Sequence, residues 1–171
     1  MFECFHPDLY IESVKKLPIN RLKQMGIKAI VFDIDNTLTP FDEAEADDET
    51  VEVIDNLKKE GFKVCLLSNN NENRIKKYNE KLGMYVFWRA GKPGTKKLLE
   101  AVDKMGVTKA STAMVGDQAF TDVWCAKRAG ILAIMTAPLC DRDQFVTKIK
   151  RPLERVVMSF YFRRKRKDVD E

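Results

Sequence analysis

The chain has 171 residues, of which 44% are hydrophobic and 33% charged, and its net charge is +4. This length predicts one domain, with a core that buries roughly 70% of the unfolded surface. No apolar run approaches the roughly 20 residues of a membrane-spanning helix, which argues against an integral membrane protein. Residues 150–171 contain eight Lys or Arg and four Asp or Glu, so the basicity belongs to this tail and residues 1–149 sum to zero.

The four cysteines are scattered along the chain without a C-x-x-C pair, and Cys65 falls in an apolar strand pattern. This spacing argues against a zinc site or a disulfide framework and favours reduced thiols. The first residues lack a basic segment followed by an apolar one, so no secretory signal is recognisable. We therefore predict a cytoplasmic protein.

Strand and helix patterns alternate along most of the chain. Residues 8–24 are predicted to form a helix or a pair of helices broken at Pro18, and Gly26 ends this region. Strands are then predicted at 29–32, 62–67, 84–88, 112–115 and 131–135, with helices at 50–60, 72–82, 95–105 and 120–129. The alternation predicts an α/β fold, a doubly wound and mainly parallel five-stranded sheet with right-handed crossovers. We predict a domain at 1–150 and a basic amphipathic tail at 151–171.

The first strand of this series ends at two acidic residues. The apolar run from Ala29 to Phe32 reads as a strand buried on both faces, and Asp33 and Asp35 follow it directly. Ligand sites in open parallel sheets lie beyond the carboxyl ends of the strands. Two carboxylates this close repel each other, and a bound cation is the simplest compensation. The structural alternative is a strand-to-helix cap.

The other strand ends supply the remaining polar groups. The second strand ends at Ser68 and Asn69, the third leads to Lys92, and the fourth ends at Gly116 and Asp117, with Asp122 nearby. Together they bring carboxylates, one ammonium and one hydroxyl to one edge of the predicted sheet. Carboxylates with a divalent ion and a lysine are what phosphoryl transfer requires, and Mg²⁺ prefers such oxygen ligands.

These residues carry a resemblance to a known superfamily. Asp33-Ile34-Asp35-Asn36-Thr37, Ser68 at a strand end, Lys92 in Gly-Lys-Pro-Gly, and Gly116-Asp117-Gln118 with Asp122 resemble the four motifs of the haloacid dehalogenase (HAD) superfamily. The first and fourth motifs are similar to those of its subfamily IIIA phosphatases. The lead-in at residues 19–29 resembles the YqeG family, which is related to mitochondrial phosphatidylglycerophosphate phosphatases.

The resemblance implies catalytic and metal-binding roles. Asp33 would be the nucleophile and a metal ligand. Asp35 would be the general acid and base, with its backbone carbonyl also on the metal. Asp117 would be the third protein ligand of Mg²⁺, and Asp122 a supporting carboxylate, either a ligand through water or a partner that orients Lys92.

The resemblance also implies a phosphate-binding group. Ser68 and Lys92 would bind the phosphate. From the residues themselves, Asn69, Asn70 and Asn71 are predicted mainly as turn and helix-start residues, with Asn69 also a candidate substrate contact. Thr37 and Gly116 are supporting residues, Gly116 because it lets the next residue turn into the cleft. Structural alternatives stay open: Ser68 as a cap of the helix at 72 or as the start of the Asn-rich turn, Lys92 as a solvated loop lysine, and Asp122 as a first-turn helix residue favoured by the helix dipole.

Loop lengths bear on the substrate. Between Asp35 and Ser68 lie 32 residues, and between Ser68 and Lys92 lie 23, which leaves no room for a large cap domain. HAD relatives without caps tend to have open sites. An open site in this chain would accommodate a large substrate such as a lipid head group, a protein or a nucleic acid. The acidic loop at 42–49 is a candidate for a small flap.

The tail has three interpretations. Leu153, Val156, Val157, Phe160 and Tyr161 recur at helical spacing before the basic run Arg163, Arg164, Lys165, Arg166 and Lys167. One interpretation is a packing helix with a basic end. A second is peripheral contact with an anionic membrane, because aromatic residues beside cations suit that surface. A third is contact with RNA or a ribosome.

We therefore predict a Mg²⁺-dependent phosphomonoesterase that works through an aspartyl-phosphate, with phosphatidylglycerophosphate as the candidate substrate. The alternative is a non-catalytic or weakly catalytic module that binds RNA, a ribosome or a protein through its basic tail. The sequence predicts no particular oligomeric state.

Overall fold

The computed structural model describes residues 2–140 and 145–170, with the side chains of the last helix described for residues 152–165. Six parallel strands form one sheet: β1 (Leu9–Ile11), β2 (Ala29–Phe32), β3 (Lys63–Leu67), β4 (Tyr85–Phe87), β5 (Thr112–Gly116) and β6 (Leu132–Thr136). Their order across the sheet is β1-β6-β5-β2-β3-β4. From β2 the chain proceeds to the edge strand β4, returns to β5, and then continues to β6, which lies next to the other edge strand, β1. The strand order therefore reverses between β2 and β5.

In the described parts of the chain, six α-helices cover the two faces of the sheet: α1 (Ile19–Gln24), α2 (Asp48–Lys59), α3 (Glu72–Asn79), α4 (Lys96–Met105), α5 (Trp124–Ala129) and α6 (Phe145–Asp170). A π-helical turn, Ala119–Val123, precedes α5 and occupies the start of the helix predicted at 120–129. Among the described residues, no helix combines the length and the apolar character needed to cross a bilayer.

Alternate residues of β2 face opposite layers of the core. Ile30 and Phe32 pack in the layer that contains α2 and α3, with Ile54 and Ile75 among their neighbours. Ala29 and Val31 pack in the layer of α4, α5 and α6. All four strand residues are fully buried, which is why this segment is an uninterrupted apolar run. Each large aliphatic side chain buried in this way contributes roughly 1.5–3 kcal/mol.

The doubly wound parallel architecture without a large cap is confirmed, but the prediction of five strands is wrong. The sixth strand is β1, in a segment that was predicted to be helical. Among the residues that the structure describes, β1 pairs with β6 alone, through Leu9, Tyr10 and Ile11. Asp8 begins this pairing, since its N–H donates to Ala133 O at 2.8 Å. The strand therefore depends on a partner more than 100 residues away in the sequence.

The helix α6 packs on the body of the protein. Its buried residues are Glu154, Val157, Met158 and Tyr161, and the last two belong to the core layer of α4 and α5. The predicted boundary at residue 150 falls inside α6. The division into a domain and a tail stays a prediction.

Candidate active site

The predicted site residues come together at the point where the strand order reverses. Asp33 follows β2, and its N–H donates to Val115 O at 2.9 Å, so the pairing of β2 with β5 continues one residue beyond β2. Asp117 directly follows β5, and Ser68 directly follows β3. This is the edge at which open parallel sheets bind ligands.

Lys92 lies at the centre of the site. Its ammonium is 2.5 Å from Asp33 Oδ1 and 2.7 Å from Asp122 Oδ1. A third hydrogen bond, of 3.1 Å, goes to the carbonyl oxygen of Leu67 at the end of β3. The side chain is only 3% exposed, so Lys92 is not a solvated loop lysine. An ammonium has three donors, and each of them has an acceptor here.

Asn69 fixes the backbone of the lysine loop. Its Oδ1 accepts from the N–H of Lys92 at 2.8 Å, and its Nδ2 donates to the carbonyl of Lys92 at 3.3 Å. The backbone N–H of Ala90 also donates to Ser68 O at 3.0 Å. These bonds connect the loop after β4 to the end of β3, and so they determine where the ammonium lies.

Ser68 is buried, and its Oγ accepts from the backbone N–H of Asn70 at 3.2 Å. It does not cap α3, because the N-cap of that helix is Asn71, which accepts from the N–H of Arg74. The serine therefore orders the turn that begins at the end of β3, directly beside the lysine loop.

Three carboxylates form a buried cluster. Asp33, Asp117 and Asp122 each offer one oxygen, and these oxygens all lie within 4.8 Å of one another. Thr37 Oγ1 donates to Asp117 Oδ1 at 3.5 Å. Asp122 belongs to the π-helical turn, and its Oδ2 accepts from the backbone N–H of Gln118 at 3.1 Å. A hydroxyl and a backbone N–H thus donate hydrogen bonds to two of the three carboxylates.

Gly116 is required by the packing of this cluster. A Cβ atom at this position would lie 2.3 Å from both Cβ and Cγ of Asp122. Any side chain would therefore displace Asp122 from the position in which it meets Lys92. The glycine permits a close approach between the end of β5 and the turn that follows.

Burial and neighbouring charges shift the pKa values of the site residues. Burial raises the pKa of Asp33 well above its usual value, and although Lys92 opposes this shift, Asp122 and Asp117 add to it. Burial by itself lowers the pKa of Lys92, but Asp122 and Asp33 outweigh this effect and raise it. Three carboxylates face one ammonium. An oxygen-only donor set with this excess of negative charge fits a divalent metal ion.

The side chain of Asp35 lies outside the cluster. Its Oδ1 accepts from Arg74 Nη2 at 2.6 Å, and its Oδ2 accepts from Asn70 Nδ2 at 2.5 Å. Asn36 follows with a φ of +58°, which turns the chain away from the sheet. Arg74 was not singled out from the sequence, and Asn70 was assigned only to a turn. The signal in the sequence is their position: Asn70 lies just before the helix that follows Ser68, and Arg74 lies in the first turn of that helix.

The helix α6 contacts the segment that carries two of the clustered aspartates. Glu154 is 3% exposed, and its Oε1 accepts from the backbone N–H of Phe120 at 3.1 Å. Phe120 lies between Asp117 and Asp122 in the sequence, so this hydrogen bond links α6 to the loop that carries both aspartates. Exposed basic residues follow further along α6, and Arg164 pairs with Glu3 at 2.5 Å. The predicted cationic side chains of residues 166 and 167, Arg166 and Lys167, lie outside the described residues.

Comparisons with known proteins agree with this geometry. The family model described as mitochondrial PGP phosphatase matches residues 2–139. The chain is 35% identical over 155 residues to the probable phosphatase YqeG of Bacillus subtilis (strain 168), covering 91% of this chain and 90% of that protein. It is also 29% identical over 177 residues to phosphatidylglycerophosphate phosphatase 1, chloroplastic/mitochondrial, of Arabidopsis thaliana. That match covers 96% of this chain but 50% of the plant protein, so the chain spans half of its length.

A solved structure has the same fold. The HAD phosphatase from Thermococcus onnurineus superposes with a TM-score of 0.56 at 16% identity, covering 74% of this chain and 98% of that one. At this identity the likeness concerns the fold alone. The comparisons do not favour a non-catalytic RNA-binding or protein-binding module. The family match and the similarity to YqeG confirm the predicted family: the chain belongs to the mitochondrial PGP phosphatase family and is a HAD phosphatase, a phosphoric monoester hydrolase, of the YqeG type.

Proposed function

We propose that this phosphatase hydrolyses phosphate monoesters through an aspartyl-phosphate formed on Asp33, with Mg²⁺ as the metal ion. The observation that carries the proposal is the buried cluster of Asp33, Asp117 and Asp122 around the ammonium of Lys92. It combines a carboxylate nucleophile, an excess of negative charge for a cation, and a fixed positive charge for a phosphate. Membership of subfamily IIIA stays a prediction.

The metal ion would be held by the carboxylates of Asp33 and Asp117 and by the backbone carbonyl of Asp35. Asp122 supports the site by fixing Lys92, through the 2.7 Å contact between them. When bound, Mg²⁺ supplies positive charge that neutralises the phosphate and lowers the repulsion between it and the aspartates.

The proposed reaction has two displacement steps at phosphorus. A carboxylate oxygen of Asp33 attacks phosphorus, and the bond from phosphorus to the leaving oxygen breaks. Asp35 donates its proton to that leaving oxygen. It then accepts a proton from the water that attacks phosphorus, and cleavage of the aspartyl-phosphate restores Asp33. Lys92 and Ser68 stabilise the charge on the equatorial phosphate oxygens.

The substrate that we propose is phosphatidylglycerophosphate. The family description and the name of the Arabidopsis relative support this choice. The absence of a large cap also supports it, because an open site at the edge of the sheet admits a head group that remains attached to its lipid. A released-phosphate screen over lipid, nucleotide and sugar phosphates should give the highest kcat/KM for the lipid. A clear preference for a soluble sugar or nucleotide phosphate would contradict the substrate but not the mechanism.

The mechanism is tested by Asp33→Asn. We expect loss of p-nitrophenyl phosphate turnover by about 1,000-fold or more, because the amide is a poor nucleophile. Asp55→Asn is the matched control, since Asp55 is an exposed aspartate on α2. Wild type and control should need Mg²⁺ and stop in EDTA, and rapid acid quenching should reveal a phosphorylated chain only where Asp33 is present. Substantial turnover by Asp33→Asn would exclude Asp33 as the nucleophile.

We also propose that α6 is a peripheral contact with an anionic membrane. Leu153, Val156 and Phe160 are 60%, 51% and 46% exposed, and their spacing places them on one side of the helix. The neighbouring side carries the buried Val157 and Tyr161, so α6 has one apolar side on the core and another in solvent. Exposed cations follow in the next turn of the helix, each worth ~1 kcal/mol near an anionic surface.

Vesicle sedimentation tests this contact. The wild type should bind phosphatidylcholine vesicles that contain phosphatidylglycerol more strongly than pure phosphatidylcholine, and salt should weaken the binding. Leu153→Ser with Phe160→Ser should abolish it, whereas Leu139→Ser should not, because Leu139 is an exposed leucine outside α6. Binding to RNA would depend on the cations and not on the two apolar residues. Unchanged vesicle binding by the double variant would contradict the membrane contact.

A further inference from the structure

The carboxylate of Asp35 is held at two points. Arg74 Nη2 donates to Oδ1 at 2.6 Å, and Asn70 Nδ2 donates to Oδ2 at 2.5 Å. The side chains of Arg74 and Asp35 are 23% and 16% exposed, so both are largely withdrawn from water. Because each oxygen has its own donor, both the position and the plane of the carboxylate are determined.

Arg74 is presented by a rigid element. Asn71 caps α3 by accepting from the backbone N–H of Arg74 at 3.1 Å, which fixes the first turn of the helix. The next residue, Ile75, is fully buried in the core layer of α2 and α3. The first turn of α3 is therefore anchored at its start and on its inner side, and the guanidinium extends from a backbone that has little freedom to move.

The same nitrogen of Arg74 has a second acceptor. Nη2 donates to the carbonyl oxygen of Phe41 at 2.6 Å, beyond the tight turn in which the N–H of Asn36 donates to Thr39 O at 2.7 Å. Arg74 thus connects α3 both to Asp35 and to the segment into which the chain continues. Loss of the guanidinium would remove one hydrogen-bond donor from Asp35. It would also remove the hydrogen bond that holds the following loop at Phe41.

We propose that Arg74 is a positioning residue that holds Asp35 where its proton reaches the leaving oxygen of the substrate. This inference rests on the proposed function, in which Asp35 is the general acid. In that step the proton leaves an Asp35 oxygen for the leaving oxygen as the phosphorus–oxygen bond breaks. Hydrogen bonds that involve a guanidinium and a carboxylate are short and strongly directional, which suits a positioning role.

The dependence on the leaving group tests this role. An aryl oxygen, as in p-nitrophenyl phosphate, departs as a stabilised anion, whereas an alkyl oxygen, as in glycerol phosphate, needs a proton. Arg74→Met should therefore lower kcat/KM for glycerol phosphate at least about tenfold more than for p-nitrophenyl phosphate. Arg74→Lys should recover part of the difference. Arg21→Met, on the exposed surface of α1, is the matched control and should change neither value.

Asp35→Asn serves as the reference variant. It should show the same selective loss on the alkyl substrate, and adding Arg74→Met to it should cost nothing further, because the two residues act as one unit. Equal losses on both substrates in Arg74→Met, beside a selective loss in Asp35→Asn, would overturn the inference and leave the proposed function intact. A rise in KM with an unchanged substrate ratio would also overturn it. No selectivity in Asp35→Asn would instead refute the acid role of Asp35.

Discussion

At the scale of single residues, Lys92 determines the charge balance of the site. Its ammonium is bonded to Asp33 and Asp122, and all three side chains are almost fully buried. Removing one partner of such a group leaves buried charge without compensation, which is far more costly than losing an exposed ion pair. The lysine is therefore needed for the stability of the site as well as for its proposed role in binding phosphate.

Lys92→Met should lower both activity and stability. We expect kcat for p-nitrophenyl phosphate to fall by about 100–1,000-fold, because a charge that stabilises the transition state is lost. In EDTA, the free energy of unfolding should fall by about 3–5 kcal/mol, since two buried carboxylates lose their partner. Urea denaturation measures this quantity. Lys97→Met, which removes a lysine that is paired with Glu100 on α4 and whose side chain is 40% exposed, should change stability by less than about 1 kcal/mol.

Equal stabilities of Lys92→Met and Lys97→Met would contradict the buried charge network. Added Mg²⁺ should recover part of the stability of Lys92→Met, since a cation relieves the repulsion between carboxylates. It should not recover the activity, because the phosphate-binding charge is still missing.

The sequence allowed these central residues to be predicted because each lies directly after a strand or in a short loop. Asp33, Ser68 and Asp117 follow strands whose apolar runs are easily recognised, so their convergence follows from parallel pairing. The same argument does not predict the contact between Arg74 and Asp35. That contact depends on how far a long side chain extends from α3 and on where the turn after Asp35 leads.

At the scale of elements, β1 and α6 depend most on distant partners. Leu9, Val14 and Leu17 are spaced as in a helix, yet β1 forms because Asp8 and the next residues pair with β6. A strand of three residues carries too little alternation to be recognised locally. The layer in which α6 packs was equally unpredictable, because its two apolar sides look alike in the sequence.

Glu154 connects α6 to the catalytic segment, and its replacement should show the strength of that connection. Glu154→Ala should lower the free energy of unfolding by about 1–3 kcal/mol, because the N–H of Phe120, which is partly buried, loses its acceptor. Glu154→Gln keeps an acceptor oxygen at the same place and should lose clearly less. Urea denaturation compares the two variants. Equal losses would show that the carboxylate charge matters and the hydrogen bond to Phe120 does not.

At the scale of the whole molecule, the doubly wound sheet brings two distant segments, the end of β2 and the turn after β5, to the proposed cation site. The carboxylates of Asp33, Asp117 and Asp122 are buried together there, so the proposed cation would bind the folded chain and stabilise it. A ligand that binds only the folded state at 100 times its dissociation constant stabilises that state by about 2.7 kcal/mol.

Mg²⁺ should therefore stabilise the protein by this order. We expect the urea midpoint of the wild type to be higher in MgCl₂ than in EDTA, and Asp117→Asn to lose most of the difference. Asp55→Asn should keep it, since Asp55 is a surface residue of α2. A wild type that unfolds identically in both buffers would argue against a metal ion at this cluster.

One contact near the catalytic turn bears on how inhibition by thiol reagents should be understood. Cys140 Sγ donates to Asn36 Oδ1 at 3.1 Å, and the N–H of Leu139 donates to Asn36 O at 3.1 Å. Asn36 immediately follows Asp35, so a bulky adduct on Cys140 would push against the backbone beside the proposed general acid. Iodoacetamide could then inactivate an enzyme whose chemistry uses no sulfur at all. Cys140→Ser retains a donor of similar size. Full activity of this variant together with resistance to iodoacetamide would indicate steric inhibition and not a catalytic thiol.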